Sequence, residues 1–129
     1  MKLGDKFDTS FVVNEKVYRG FIDIFNDQNP LHTNSVFAQS KGFESEVMHG
    51  NILGGFLSYF IGECLPIKNV IIHSQDIKYH KPIYLNDQVI FKAEISEIFE
   101  SVNAIEFKYF FENIQGLKLA KGKIQIGII

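Results

Sequence analysis

From residue 70 to the end of the chain, apolar and polar residues alternate with the period of two that is typical of strands with one buried face. Turn-forming residues separate the runs at 86–87, 100–101 and 113–116. Four successive hairpin-linked strands are therefore predicted, forming an antiparallel sheet with one apolar face. The predicted inward positions are Ile77 and Tyr79; Val89, Phe91, Ala93 and Ile95; Ile105, Phe107, Tyr109 and Phe111; and Ala120, Gly122, Ile124, Ile126 and Ile128.

One segment, from about Gly50 to Cys64, has the composition to cover that apolar face. It is apolar on nearly all sides and mixes small residues with large ones, which is the pattern of a helix that other elements wrap. The predicted fold class is therefore α+β, a curved antiparallel sheet wrapped around a long central helix.

The first third of the chain predicts shorter elements. Residues 5–13 alternate weakly and favour a strand, and Asn14 is a good N-cap for a helix over residues 15–27. A second helix of about two turns is predicted around residues 36–38, ending at Gly42. The apolar face of the first helix consists of Val17, Phe21, Ile24 and Phe25.

Composition narrows the class of protein. A chain of 129 residues with 46% hydrophobic and 22% charged residues is expected to be one globular domain spanning 1–129. The net charge of -2, with no run of Lys and Arg, gives no reason to expect nucleic acid or a membrane surface as the main partner. The first residues form neither a secretory signal nor a membrane span, so the cytoplasm is the expected compartment. Cys64 is the only cysteine, which excludes an internal disulfide.

The candidate chemistry lies in residues 27–32 and 49–50. Pro30 pushes Asn29 into an extended conformation, so Asp27 and His32 are expected on an ordered turn, as a potential acid/base pair. His49-Gly50 comes directly before the apolar helix, whose first amides have no partner within the helix. Addition of water to a polarised double bond needs both parts: a group that moves protons, and donors for the charge that develops on a carbonyl oxygen.

Other polar residues do not suggest a second site. His73 and His80 show no metal-ligand spacing, so we predict no metal and no cofactor. Glu63 could act as the base of a thioesterase, but its place at the end of the helix favours a solvated carboxylate.

Three separated motifs follow one another along the chain. They are Phe21 with Asp27, Asn29, Pro30, Leu31 and His32; His49 and Gly50; and Tyr79, Pro82, Ile83, Asn86 and Asp87. Together they resemble the MaoC-like dehydratases and, more narrowly, the (R)-specific enoyl-CoA hydratases. The resemblance runs from about Asp5 to the C-terminus. It implies a single hot-dog domain that reversibly adds water to trans-2-enoyl thioesters.

Residue roles follow from the resemblance by position. Asp27 and His32 match the catalytic pair, and Gly50 matches the amide that binds the thioester oxygen. Asn29 matches the residue that orders the catalytic turn. We interpret His49 as a residue that supports the site without transferring a proton.

The resemblance places Ser58 and Ile61 in the lining of the acyl pocket. The chain departs from the family at Phe25-Asn26, where a small residue followed by glycine or another small or polar residue is usual, and at Asn51, where methionine is common. Asn26 can adopt the left-handed backbone that the turn needs. Phe25 is expected to narrow the entrance and to favour short to medium acyl chains.

The predicted function is reversible hydration of enoyl thioesters of coenzyme A or, as a weaker choice, of acyl carrier protein. Two alternatives remain. A non-catalytic acyl-thioester binder would bind its ligand without turnover, and a thioesterase would release a free thiol. The apolar surface around Gly54, Gly55 and Ser58, together with the resemblance, predicts a homodimer.

Overall fold

A single antiparallel sheet of six strands forms the body of the protein, with strand order β1-β4-β5-β6-β2 and with β3 paired to β6. The computed structural model describes residues 1–129. The strands are β1 (Lys6–Val12), β2 (Val70–Gln75), β3 (Lys78–Tyr79), β4 (Gln88–Phe99), β5 (Ala104–Glu112) and β6 (Lys118–Ile128).

The period of two predicts the buried face of the three long strands correctly. On β4, Val89, Phe91 and Ile95 are buried, whereas Lys92 between them is exposed. The same alternation holds along β5 and in most of β6. The α+β prediction is therefore confirmed, with one face of the sheet forming the core.

The prediction of four successive hairpin-linked strands is wrong at its first member. The segment around Ile77 gives only the two-residue β3, and the longer β2 lies before it. Both pair with β6 rather than with β4, because β1 already occupies the free edge of β4. Between β2 and β3 the Asp76 carbonyl lies against Gly122, where no Cβ would fit, and accepts a 2.6 Å hydrogen bond from the Tyr109 hydroxyl.

Three helices lie between β1 and the central helix: α1 (Glu15–Phe25), α2 (Pro30–Thr33) and α3 (Ser35–Ser40). The Asn14 side chain caps α1 by accepting the Val17 N–H at 3.0 Å, as predicted. The first helix ends two residues earlier than expected, because Asn26 adopts the left-handed conformation with φ 59°. Gly42, with φ +92°, follows α3 and ends it as predicted.

The central helix α4 (Ile52–Tyr59) continues as one π-helical turn over Phe60–Cys64. Leu53, Leu57 and Phe60 are almost fully buried and belong to a core cluster of 23 residues formed with the sheet. The predicted helix therefore exists, although it begins after Gly50 and its final turn is wider than an α-helical turn.

One side of α4 remains uncovered within the chain. Gly55 and Ser58 are exposed, and Tyr59 is 52% exposed, although the sequence of the helix is apolar on nearly all sides. The sheet covers the opposite side only. None of the helices is long and apolar enough to cross a membrane.

Candidate active site

A turn between α1 and α2 positions the carboxylate of Asp27. Asn26 ends α1 by donating its N–H to the Ile22 carbonyl at 2.8 Å, and its left-handed backbone redirects the chain. The Asp27 side chain then accepts the Asn29 N–H at 3.2 Å, and the Asn29 side chain accepts the Leu31 N–H at 3.0 Å. Asn29 is therefore the N-cap of α2, and these two side-chain hydrogen bonds hold the turn.

His32 lies on α2 with one ring nitrogen fixed and the other free. Its Nδ1 is 2.7 Å from the Val47 carbonyl oxygen, which can only accept, so Nδ1 carries a proton. The Tyr18 hydroxyl donates to the His32 carbonyl at 2.5 Å. The free Nε2 faces the Asp27 carboxylate at 3.9 Å, and the two side chains are 17% and 49% exposed respectively. The predicted acid/base pair is thus brought together by the fold.

His49 supports this pair from the buried side. Its Nε2 donates to the Asp27 carbonyl oxygen at 2.8 Å, and its ring stacks on His32 with a centroid distance of 4.0 Å. The centroid of the Phe21 ring lies 4.5 Å from the centroid of the His49 ring. His49 is only 3% exposed, and its Nδ1 has no hydrogen-bond partner. These contacts fit a positioning residue better than a substrate ligand.

The same three side chains are close enough to be considered as metal ligands. Ligand atoms of Asp27, His32 and His49 all lie within 4.8 Å of one another. However, the two imidazoles are stacked with an interplanar angle of 28°. In-plane lone pairs of stacked rings do not converge on one point, as metal ligands must. The arrangement favours proton transfer.

Gly50 presents an unoccupied backbone amide at the start of α4. Its N–H donates no hydrogen bond within the chain, although its carbonyl accepts the Leu53 N–H. A Cβ at position 50 would lie 2.8 Å from Cε1 of Tyr79, so any other residue there would have to displace this ring. Burial raises the pKa of the Tyr79 phenol, which therefore keeps its proton and can donate to the Asn51 side chain at 3.5 Å.

These groups share one open concavity of about 510 Å³. Asp27, His32, His49 and Gly50 all line it, together with apolar side chains that include Phe21 and Ile83. Sequence reasoning did not find the role of the Val47 carbonyl or the contribution of Phe43. No residue type marks such positions, because they depend on how the segment 43–48 folds back over α2.

Three residues that were assigned to the acyl pocket or its entrance lie outside this concavity. Ser58 is on the exposed side of α4, whereas Ile61 is buried in the core at 3% exposure. Phe25 is 66% exposed and contacts the concavity only through Phe21, with a ring distance of 4.9 Å. The roles of these residues in acyl binding stay predictions.

Comparison with known proteins identifies the family of the chain and several relatives. The MaoC like domain matches residues 2–108. The chain belongs to the MaoC-like domain family. The (R)-specific enoyl-CoA hydratase of Aeromonas caviae is 28% identical over 100 residues, covering 78% of this chain and 75% of that protein. A 3-hydroxybutyryl-CoA dehydratase of Methylorubrum extorquens is 32% identical over 79 residues, which are 61% of this chain and 50% of that protein.

Solved MaoC-like structures share the fold. An (R)-hydratase structure from A. caviae superimposes with a TM-score of 0.91 at 23% identity, covering 100% of this chain and 98% of that one. A MaoC-like dehydratase from Rhodospirillum rubrum gives 0.82 at 15% identity, covering 100% and 93%. The predicted hot-dog fold and family are confirmed. The predicted hydro-lyase class agrees with the activities named for the curated relatives.

Proposed function

We propose that this MaoC-like protein is an (R)-specific enoyl-CoA hydratase, which reversibly adds water to trans-2-enoyl thioesters. The observation that carries the proposal is the 3.9 Å separation of Asp27 Oδ2 and His32 Nε2 in a concavity that also contains the free Gly50 amide. A water molecule can lie at about 2.8 Å from both atoms of such a pair. The carboxylate and the imidazole would then hold and polarise the same water.

In the hydration direction, the Gly50 N–H donates to the thioester carbonyl oxygen and draws electrons from C3. The water oxygen forms a bond to C3, while the C2–C3 π electrons move onto the carbonyl as an enolate. The Asp27–His32 pair accepts the proton that the water loses. As the enolate collapses, the pair returns a proton to C2, so the site is restored after each turnover.

The static parts of the site match this sequence of events. Val47 fixes the His32 tautomer, so that Nε2 is the nitrogen available to the water. His49 holds the Asp27 backbone from behind. The (R) stereochemistry and the enoyl thioester substrate are proposed from the names of the relatives, which act on coenzyme A or acyl-carrier-protein thioesters.

The deciding experiment is hydration of crotonyl-CoA by the purified protein, followed as loss of the enoyl-thioester absorbance. Turnover with formation of the (R)-3-hydroxy product and no free thiol is the expected result. Release of thiol would identify a thioesterase instead. Saturable binding without consumption of the enoyl group would indicate a non-catalytic binder, and both outcomes would contradict the proposal.

We further propose that the working form is a homodimer. The exposed side of α4, with Gly55, Ser58 and Tyr59, and the open edge of β2 are both available within one chain. A second copy could cover the helix face and extend the sheet through β2.

A further inference from the structure

The outer face of the sheet carries a second concavity, about 1060 Å³ in volume, lined by seven lysines and three carboxylates. It contains none of the acid/base residues. The short strand β3 separates it from the active site, since Tyr79 lines the active-site concavity and Lys78 lines the lysine-rich one. Successive strand residues point to opposite faces, so a ligand that crosses β3 could reach both.

Part of this lysine-rich face is neutralised within the chain. The ion pairs are Lys92–Glu112 at 3.0 Å, Lys108–Glu94 at 4.0 Å and Lys123–Glu106 at 3.6 Å. Lys78, Lys118 and Lys121 have no carboxylate partner within 4.0 Å, and all three are exposed. We call these three residues the β3–β6 lysine cluster.

Among the three carboxylates that line the concavity, Glu94 pairs with Lys108, whereas Asp8 and Asp76 form no ion pair within 4.0 Å; the seven lysines outnumber all three. Lys78 and Lys121 are directly opposite each other in the β3–β6 pair, an arrangement that repels. On the other side, the neighbour of Lys121 is Phe110, and the Lys118 ammonium lies 4.7 Å from the centre of the Phe110 ring. Glu112 faces Lys118 across the strands, but its carboxylate bonds Lys92.

We propose that the β3–β6 lysine cluster binds the phosphate groups of the carrier whose acyl end enters the active site, and that this carrier is coenzyme A. The inference rests on the proposed function, because the acyl thioester defines the carrier. A bound phosphate would relieve the repulsion between Lys78 and Lys121, and ammonium groups bind phosphate as point charges.

The surface also favours coenzyme A over acyl carrier protein as the carrier. Coenzyme A brings a diphosphate and a 3′-phosphate next to an adenine ring, whereas a carrier protein brings one phosphodiester on its pantetheine arm. Three unpaired lysines around the half-buried Phe110 ring match several phosphates and a flat base. Lys81 lines the active-site concavity beyond β3, so positive charge continues from the cluster towards the acid/base pair.

The test compares the double variant Lys78→Ala/Lys121→Ala with wild type on two substrates, crotonyl-CoA and crotonyl-pantetheine, which lacks phosphate. For crotonyl-CoA, KM should rise about 10-fold or more, the equivalent of one charge-assisted hydrogen bond, with kcat unchanged. For crotonyl-pantetheine both constants should stay at the wild-type values. The double variant Lys2→Ala/Lys16→Ala removes the same charge outside both concavities and should behave as wild type.

Crotonyl-4′-phosphopantetheine separates the two sources of phosphate. Its one phosphate is common to both carriers, so if its KM rises as much as that of crotonyl-CoA, the cluster does not bind the nucleotide, and the assignment of the cluster to the phosphates specific to coenzyme A is overturned. An equal rise in KM for crotonyl-pantetheine, or no rise in KM for crotonyl-CoA, would overturn phosphate binding by the cluster altogether.

Calorimetric binding of adenosine 3′,5′-bisphosphate makes the test independent of turnover. Wild type and the Lys2/Lys16 control should bind it, and the cluster variant should bind about 10-fold more weakly or worse. Normal crotonyl-CoA turnover without this binding would sink the inference and leave the proposed hydratase intact. Binding that depends on the cluster in a protein without turnover would sink the hydratase and leave the phosphate site.

Discussion

Individual hydrogen bonds between residues 26 and 49 decide which atoms of the active site are free to react. His32 can offer only Nε2, because the Val47 carbonyl occupies Nδ1. Asp27 keeps one oxygen for the turn, where it accepts the Asn29 N–H, and directs the other towards His32. Each functional side chain therefore has one structural atom and one reactive atom.

Removal of either reactive atom should abolish most turnover while the turn survives. We expect Asp27→Asn and His32→Ala each to lower kcat by at least ~100-fold, because each removes one half of a proton-transfer pair. Asn at position 27 can still accept the Asn29 N–H. Since the two groups act as one unit, the double variant should be little worse than the worse single variant.

Steady-state kinetics with crotonyl-CoA, alongside thermal melting, measures these effects. Asp23→Asn, an exposed carboxylate on α1, is the matched control and should keep full activity. Full activity in either variant of the pair would refute the assignment.

His49 allows a sharper test of positioning, because its two nitrogens differ in role. A glutamine amide can reach about as far as Nε2 and still donate to the Asp27 carbonyl, whereas an asparagine amide is too short. We expect His49→Asn to lower kcat about 10- to 100-fold, as loss of a positioning hydrogen bond does, and His49→Gln to recover most of that loss. Equal activity in the two variants, measured at saturating crotonyl-CoA, would argue against a positioning bond.

Replacement of Gly50 should lower activity because of the neighbouring Tyr79 ring rather than because of the Gly50 amide. In Gly50→Ala the amide remains, but the new Cβ must displace the Tyr79 ring from 2.8 Å. A displacement of this size at the active site can lower kcat by up to about 100-fold. The double variant Gly50→Ala/Tyr79→Ala should regain activity relative to Gly50→Ala. Gly20→Ala on α1 also replaces a glycine but meets open space, and it serves as the control; no difference between the two alanine variants would contradict the steric account.

The sequence predicts the positions of the pair well, since Pro30 and two asparagines determine the turn locally. It could not predict that His32 stacks on His49, or that the carbonyl of Val47 selects the tautomer. Those contacts join residues 15 to 22 positions apart, and they depend on the path of the chain after α3.

At the scale of secondary structure, the sequence predicts the strands and helix caps better than it predicts which strands pair. The alternation in β4 and β5 and the Asn14 cap of α1 are visible in the sequence and present in the structure. The edge to which β2 and β3 pair is not visible, because it depends on β1 having occupied the other edge.

The C-terminal end of α1 is the part of the fold that we expect to limit the length of the acyl chain. Phe25 packs on Phe21, and Phe21 lines the concavity, so Phe25→Ser should let the Phe21 ring move away from the acyl chain. We expect kcat/KM in wild type to rise with each methylene that the acyl chain buries, by the equivalent of roughly 0.8 kcal/mol of transition-state binding. It should then fall once the acyl chain exceeds medium length. In Phe25→Ser the rise should continue to longer enoyl chains.

A series of enoyl-CoA lengths assayed with both proteins measures this difference. Ile24→Ser, a highly exposed neighbour on the same helix, is the control and should leave the length profile unchanged. A wild-type profile that keeps rising through long chains would refute the limited pocket.

At the scale of the whole molecule, the uncovered side of α4 predicts self-association. Sedimentation should give twice the mass of one chain. Tyr59→Glu, which puts a charge on the exposed helix face, should shift the protein towards monomer and reduce kcat/KM in parallel. Lys16→Glu, exposed on α1, should remain dimeric. A stable wild-type monomer with full activity would contradict the proposed homodimer.

The lysine-rich face shows what a linear reading of charge misses. Its seven lysines come from β1, β3, β4, β5 and β6, spread from Lys6 to Lys123, so no run of basic residues marks them. The sheet register brings them together, and that register is a property of the assembled fold.

Asn26 bears on how proteins of this kind are found in genomes. The turn into Asp27 uses a left-handed backbone with φ 59° at Asn26, a conformation that asparagine and glycine adopt more readily than other residues. The constraint on this position is a backbone torsion angle rather than one residue type. A search pattern that demands glycine before this aspartate would therefore pass over chains with the same geometry, and it should accept asparagine there.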